Sequence, residues 1–372
     1  MRTAIHAIGT ALPEHAYPQP FVRQVMGAWV GGERRTDKLL DRVYAASAID
    51  VRHSVVGDFL PGRPGGEPPL FLDASGAFRS PSTGERNARY ARHAPGLAAT
   101  AARRALDDAG SLDPASVTHL ITVSCTGFFT PGVDLHLVGD LGLRAGVERY
   151  HVGFMGCFAA FPALRMARAF CAADPAAVVL VVAVELCTLH LQPSPDVDAV
   201  LSASVFADGA AAAVVSARPP DGPRRALALE RSATAVTREG ASDMAWTIGD
   251  HGFDMTLTAY VPRVLEAEAG EALAPLFAGG LEKPEDVAWW AVHPGGRAIV
   301  DKVAAALALP PSAVAAARSV LRRAGNMSSA TVLFVLAELM DRERPGPASG
   351  EAVVALAFGP GLTVDSALLR AI

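Results

Sequence analysis

The run AAVVLVVAVEL at 176–186 limits the fold more than any other stretch of this chain. Its apolar residues do not alternate with polar ones, so a strand built from it is buried on both faces. The run is too short to cross a membrane and is cut off at Glu185. A strand covered on both sides needs helices above and below, which means a layered α/β fold.

The neighbouring segments fit that scheme. Residues 3–11 read as a buried first strand rather than a signal peptide, and the Pro-rich ALPEHAYPQP leads into a helix from Phe21. Residues 61–83 form a Pro- and Gly-rich surface insertion. Residues 81–110 then read as two helices, the second ending at Gly110. HLITVSC (119–125) and FADGAAAAVVS (206–216) are further strands. The polar, Pro-rich RPPDGPR (218–224) divides the chain into halves at 1–218 and 225–372. Both halves alternate strand and helix and end in adjacent strands, as a duplicated α/β unit would.

Composition bears mainly on what the chain does not do. Of 372 residues 51% are hydrophobic and 19% charged, which suits a large buried core. The net charge is −5 with no long basic run, so nucleic acid is not an expected partner. Cys125, Cys157, Cys171 and Cys187 show neither CxxC spacing nor paired histidines, so no zinc site or disulfide framework is expected, in keeping with a reducing cytoplasm.

Chemistry concentrates at three turns, each read as running from strand to helix. The first is Gly156-Cys157, followed by Phe158, Phe161, Leu164, Ala167 and Phe170 at helical spacing. A thiol at a helix start, beside a cation, is expected to ionise near neutral pH. The others are His293-Pro294-Gly295-Gly296 and Gly325-Asn326-Met327-Ser328-Ser329. In an α/β sheet such turns gather at the carboxyl ends of strands. An imidazole there can stabilise a thiolate, and a carboxamide can donate to a developing oxyanion. Each motif alone is weak: a lone cysteine is usually core, and Gly-Asn usually a cap. His190 and His251 read as structural, and Cys125, Cys171 and Cys187 as buried thiols.

GCFAA at Cys157, FADGAAA at Phe206, WAVHPGG at His293, GNMSSATVLF at Asn326 and FGPGLT at Phe358 together resemble the type III polyketide synthases, the chalcone and stilbene synthase family. Thiolases share the fold but need a second catalytic cysteine late in the chain, and none follows Cys187. Ketoacyl synthases use the same three residue types in different motifs. A Cys-His-Asn hydrolase of the papain kind is the alternative from another class.

The resemblance implies a thiolase fold, five layers in an αβαβα arrangement, in a homodimer. It implies Cys157, His293 and Asn326 as catalytic residues and malonyl-CoA and acyl-CoA as substrates, with no metal or redox cofactor. Phe206 resembles the gatekeeping phenylalanine, and the second gatekeeper falls at Met255, a departure from the plant pattern. Thr130 resembles the residue that reaches into the partner's cavity, Ser328 a cavity-lining serine, and Arg42 a contact for CoA phosphates. SCTGFFTPGVD, GFMGC and DHGFDM look like bacterial members that take long fatty acyl starters and make alkylresorcinols, alkylresorcylic acids or alkylpyrones. Small residues at Ala159, Ala160 and Cys187 are expected to make room for such a chain. A malonyl-primed tetrahydroxynaphthalene-type synthase is the alternative within the family.

Overall fold

The computed structural model describes residues 2–31, 33–59, 67–238, 240–258, 260–278 and 283–372. Its first part runs β1 (Ala4–Ala11), β2 (His15–Pro18), α1 (Gln19–Val30), α2 (Arg34–Ala46), β3 (Val51–Ser54), α3 (Thr83–Asp107), β4 (His119–Ser124), α4 (Val133–Leu141), β5 (Glu148–Gly153), α5 (Ala160–Ala173), β6 (Val178–Leu186), α6 (Val197–Val205) and β7 (Asp208–Ser216). The rest runs β8 (Leu227–Val236), β9 (Met244–Gly249), β10 (Gly252–Leu257), α7 (Val261–Leu273), β11 (Trp289–Val292), α8 (Arg297–Ala306), α9 (Ala315–Ala324), α10 (Thr331–Met340), β12 (Ala352–Gly359) and β13 (Thr363–Ala371).

Nine strands pair in the order β11-β12-β13-β8-β1-β7-β6-β4-β5. The apolar run at 176–186 supplies β6, which is buried at every position, as its lack of alternation requires. Within the row one pattern occurs twice. Along β4-β6-β7-β1 the pairings are parallel, antiparallel, antiparallel, and along β11-β12-β13-β8 they are the same. Only Ala4–Ala228 and Ile5–Leu227 join the two sets, so the row can fold over at that point. Helices α5 and α10 pack against strands of both sets, α3 covers the outer face of β1, β7 and β6, and α7 pairs with α8 on the far side. That is the five-layer thiolase arrangement.

Three local expectations need correction. Residues 83–107 form one helix rather than two, with Pro95 buried inside it. Proline removes a single i→i−4 bond. Ala94, Ala98, Ala101, Ala102 and Ala105, all fully buried, let the helix lie close on the sheet, and that packing outweighs the loss. Residues 61–66 of the Pro- and Gly-rich insertion lie outside the described residues. The part that follows is more than a surface loop, because Leu70 and Phe71 are buried and Phe71 packs on Trp29. The third correction concerns Asn326, which follows helix α9 rather than a strand.

Two short ladders stand outside the main sheet, β2 with β3 and the hairpin β9-β10. The hairpin lies over the carboxyl ends of β4 and β6, where the site forms. Among the described residues no helix is long and apolar enough to cross a membrane.

Candidate active site

Cys157 follows β5 through a tight bend. Gly156 has φ +78°, and a Cβ there would sit 2.3 Å from Pro360 Cδ, so only glycine lets the two turns meet. One 3₁₀ turn, Gly156–Phe158, then leads into α5. His293 leaves the end of β11, its N–H donating to Leu356 O at 2.8 Å. Asn326 pairs with Phe206 in an isolated parallel bridge: its N–H donates to Val205 O at 2.9 Å, and Ala207 N–H donates to Asn326 O at 2.8 Å.

All three side chains line one cavity of about 570 Å³, mouth included. The Asn326 carboxamide has a defined orientation. Its Oδ1 accepts from Ser328 N at 2.9 Å and Thr331 Oγ1 at 3.3 Å, and its Nδ2 donates to Gly295 O at 3.2 Å. The amide therefore keeps a second N–H for a ligand. Among the described residues neither ring nitrogen of the buried His293 has a hydrogen-bond partner, an unusual condition for a buried polar group and one common at reacting centres. Ser328 also lines the cavity, with Oγ 3.5 Å from Cys157 Sγ and 3.3 Å from Cys125 Sγ. Its backbone is left-handed at φ +47°, a strained conformation for a serine.

The expected thiolate beside a cation is not what the site holds. Burial pushes the Cys157 thiol up to about 12, against smaller lowering effects from Ser328 and Asn326. Burial alone pulls His293 down to about 3. At neutral pH the pair is a thiol and a neutral imidazole, because among the described residues no arginine, lysine or carboxylate lines the cavity. A proton passing from sulfur to ring would create two opposite charges that each relieve the other's burial cost.

Phe206 and Met255 line this cavity and also a second one of about 770 Å³ outside it, so they stand at the boundary between the two. Arg42 is exposed on α2 and does not line the cavity. Thr130 is exposed beyond β4 and faces a separate pocket with Tyr90 and His151. Ala159 and Ala160 are packed in the core rather than beside the cavity, so they make no room for a ligand. His190 is buried and satisfied, Nε2 bonding to Thr126 O at 2.8 Å and Nδ1 accepting from Phe253 N at 3.1 Å, while His251 is exposed at the hairpin turn.

Cys125, Cys171 and Cys187 are buried thiols as expected, and Cys125 and Cys187 also line the cavity. The signal was available: both directly follow strands, β4 and β6, that run parallel to each other and to β5, the edge strand that delivers Cys157. Glu185 beside them is fully buried and accepts from Cys125 N at 2.9 Å, Thr126 Oγ1 at 2.8 Å and Ser329 Oγ. Burial raises its pKa while those donors act the other way. Trp246 was missed for a different reason. It lies on the hairpin, outside the strand–helix alternation, and its Nε1 donates to Cys125 O at 2.8 Å, which holds the indole against the cavity.

Comparison with known proteins agrees with this geometry. Residues 2–219 match the family model described as chalcone and stilbene synthases, N-terminal domain, and residues 228–372 match the C-terminal domain model. Bisdemethoxycurcumin synthase of Oryza sativa subsp. japonica is 38% identical over 313 residues, covering 82% of this chain and 76% of the relative. 1,3,6,8-Tetrahydroxynaphthalene synthase of Streptomyces peucetius subsp. caesius is 32% identical over 374 residues, 99% of this chain and 93% of the relative. The crystal structure of PKS-I from the brown alga Ectocarpus siliculosus superposes with a TM-score of 0.92 at 30% identity, covering 100% of this chain and 98% of that one. The type III polyketide synthase domain of Steely1 from Dictyostelium gives 0.89 at 25% identity, with full coverage of both chains.

Proposed function

Since the chain belongs to the chalcone and stilbene synthase family, the type III polyketide synthases, we propose that it extends an acyl-CoA starter with malonyl-CoA on Cys157. The observation that carries this reading is the convergence of Cys157, His293 and Asn326 on one apolar cavity. The Cys157 sulfur attacks the starter thioester as its proton passes to His293, and CoA leaves with that proton, leaving an acyl-enzyme. Malonyl-CoA then loses carbon dioxide, and the electron pair of the broken bond becomes an enolate. The oxygen of that enolate takes hydrogen bonds from His293 and from the free N–H of Asn326. Its carbon attacks the acyl-Cys157 carbonyl and releases the sulfur. Decarboxylation itself supplies the carbanion, so the cycle calls on no metal or redox cofactor.

For the starter we propose an apolar acyl chain, of the long fatty type that leads to alkylresorcinols, alkylresorcylic acids or alkylpyrones. The lack of any arginine, lysine or carboxylate along the cavity among the described residues supports it. A malonyl-primed naphthalene product is the second reading, favoured by similarity to the Streptomyces enzyme over 99% of this chain. We propose a homodimer as well. Strand β5 has a free edge, and Phe128, Leu135 and Met155 are exposed in the segments next to it.

One incubation tests the main claim. Malonyl-CoA with acetyl- to palmitoyl-CoA should yield carbon dioxide and a cyclised product by mass spectrometry, and Cys157→Ala should yield neither product nor acyl-enzyme. Release of free acid without carbon dioxide would identify a hydrolase instead. Asn326→Ala should slow malonyl-CoA decarboxylation by about a hundredfold or more; a normal rate would remove the amide from the oxyanion role.

A further inference from the structure

The hairpin that carries Trp246 and Met255 is held at its tip by a residue that lines no part of the cavity. Thr83 is the first residue of α3, directly after the Ser82 cap. Its N–H is one of those a helix start leaves without an intrahelical partner, and it donates to Asp250 O at 2.9 Å. Its hydroxyl accepts from Gly252 N–H at 2.9 Å and donates to the Gly249 carbonyl. A single residue therefore fastens the turn from both sides, and the positive end of a long helix favours the carbonyls it holds. Gly252 permits the approach. Its φ is +119°, and a Cβ there would lie 3.2 Å from the side chain of Arg86. Arg86 is itself fixed, donating to Pro81 O at 3.0 Å and Leu191 O at 2.9 Å.

We propose that Thr83 is a positioning residue for acyl selection, which fixes the hairpin tip and through it the placement of Trp246 and Met255 over Cys157. The inference rests on reading the cavity as the polyketide-building site. Trp246 and Met255 are direct ladder partners, three residues from the tip on either strand. At about 3.3 Å per residue the tip lies about 10 Å from that pair, so tilting it moves both side chains together. Three other fasteners act nearer the cavity: Trp246 to Cys125 O, His190 to Phe253 N, and Gln192 Nε2 to Asp254 Oδ1 at 2.9 Å. Without the Thr83 hydroxyl the hairpin stays attached at its base and becomes free at its tip. Selectivity should change before folding does.

Thr83→Val keeps the side-chain shape and the backbone bond but removes the hydroxyl, and Thr83→Ser keeps the hydroxyl. In the full-length protein, amide hydrogen exchange at Gly252 and Phe253 should quicken by about tenfold in Thr83→Val. The ratio of kcat/KM between the best and worst acyl-CoA starters should flatten by about threefold, carried by KM, with kcat for the best starter unchanged. Thr83→Ser should restore both. Unchanged exchange would show that the hydroxyl does not hold the tip. Faster exchange with an unchanged starter ratio would show that the tip does not govern selection, and failure of Thr83→Ser to restore it would equally overturn the proposal. If the wild-type protein makes no product, the condensation reading falls by itself. Selection is then judged by intact-mass acylation of Cys157 across the same starters, where an unchanged profile in Thr83→Val overturns the clamp.

Discussion

Phe206 and Met255, two of the four residues that line both the cavity and its outer neighbour, are anchored in opposite ways. Phe206 is built into the body of the protein. Its neighbours Val205 and Ala207 bridge to the backbone of Asn326, and its own carbonyl accepts from the buried Arg52 Nη1 at 2.9 Å. The same nitrogen holds Ala203 O at 2.6 Å, a cation at the carboxyl end of α6. Met255 instead sits on a two-stranded hairpin with no further strand beside it, tied to the rest largely through side-chain hydrogen bonds. One side of the boundary thus shares its backbone with a proposed catalytic residue, while the other depends on bonds that a mutation or a proton can remove. Selectivity should therefore be tunable on the hairpin side without damage to catalysis, and changes on the Phe206 side should damage both.

The strongest way to break that contrast is Arg52→Ala. It leaves the Phe206 carbonyl without its donor, Ala203 O with only the Tyr44 hydroxyl at 3.3 Å, and a cavity behind them, so stability should fall by about 3 kcal/mol or more, with condensation activity falling too. Urea unfolding beside a turnover assay reads both, and a loss of activity at unchanged stability would contradict the picture of a rigid side. Acid offers a comparable effect on the hairpin. Burial lowers His190 to about 4, so its neutral form is favoured by the folded state. That contribution is complete above the ordinary value of about 6.5 and is lost as pH falls toward 4, about 3 kcal/mol in all. A protonated ring can no longer accept from Phe253 N–H, so pepsin near pH 4 should cut first within residues 244–257. First cuts around residues 203–207 would reverse the comparison.

Smaller effects should sharpen it. Trp246→Gly removes the indole that narrows the cavity, and products should gain at least one malonyl-derived unit while turnover stays within about tenfold. An unchanged product mass would mean that the indole does not limit growth. Met255→Phe exchanges a flexible thioether for a rigid ring. Starter range should narrow, with kcat/KM for the longest acyl-CoA falling about threefold to tenfold relative to acetyl-CoA. A flat profile would remove Met255 from the boundary role.

Part of this site was readable from residue order. Cys157, His293 and Asn326 each sit in a distinct Gly-containing motif, and strand-end geometry explains why a cysteine after β5 and a histidine after β11 face one place. Cys125 and Cys187 obeyed the same rule and could have been found by it. Glu185 was visible only as the residue that ended an apolar run, since nothing local shows that three donors will surround it. Trp246 and Thr83 carried no signal, because the hairpin's position is set by partners 62 to 169 residues away.

The chain's own pattern of apolar runs and turns determined the layered α/β architecture and the Gly-containing turns that carry Cys157, His293 and Asn326. Those follow from local rules: burial on both faces, turn chemistry and the short reach of backbone hydrogen bonds. The tertiary structure decided the charge state of the thiol, whether a helix could continue past Pro95, and how wide the cavity stands. Each of these depends on burial and on contacts between distant segments. Desolvation is a property of everything packed around a group, and no stretch of sequence contains its own surroundings.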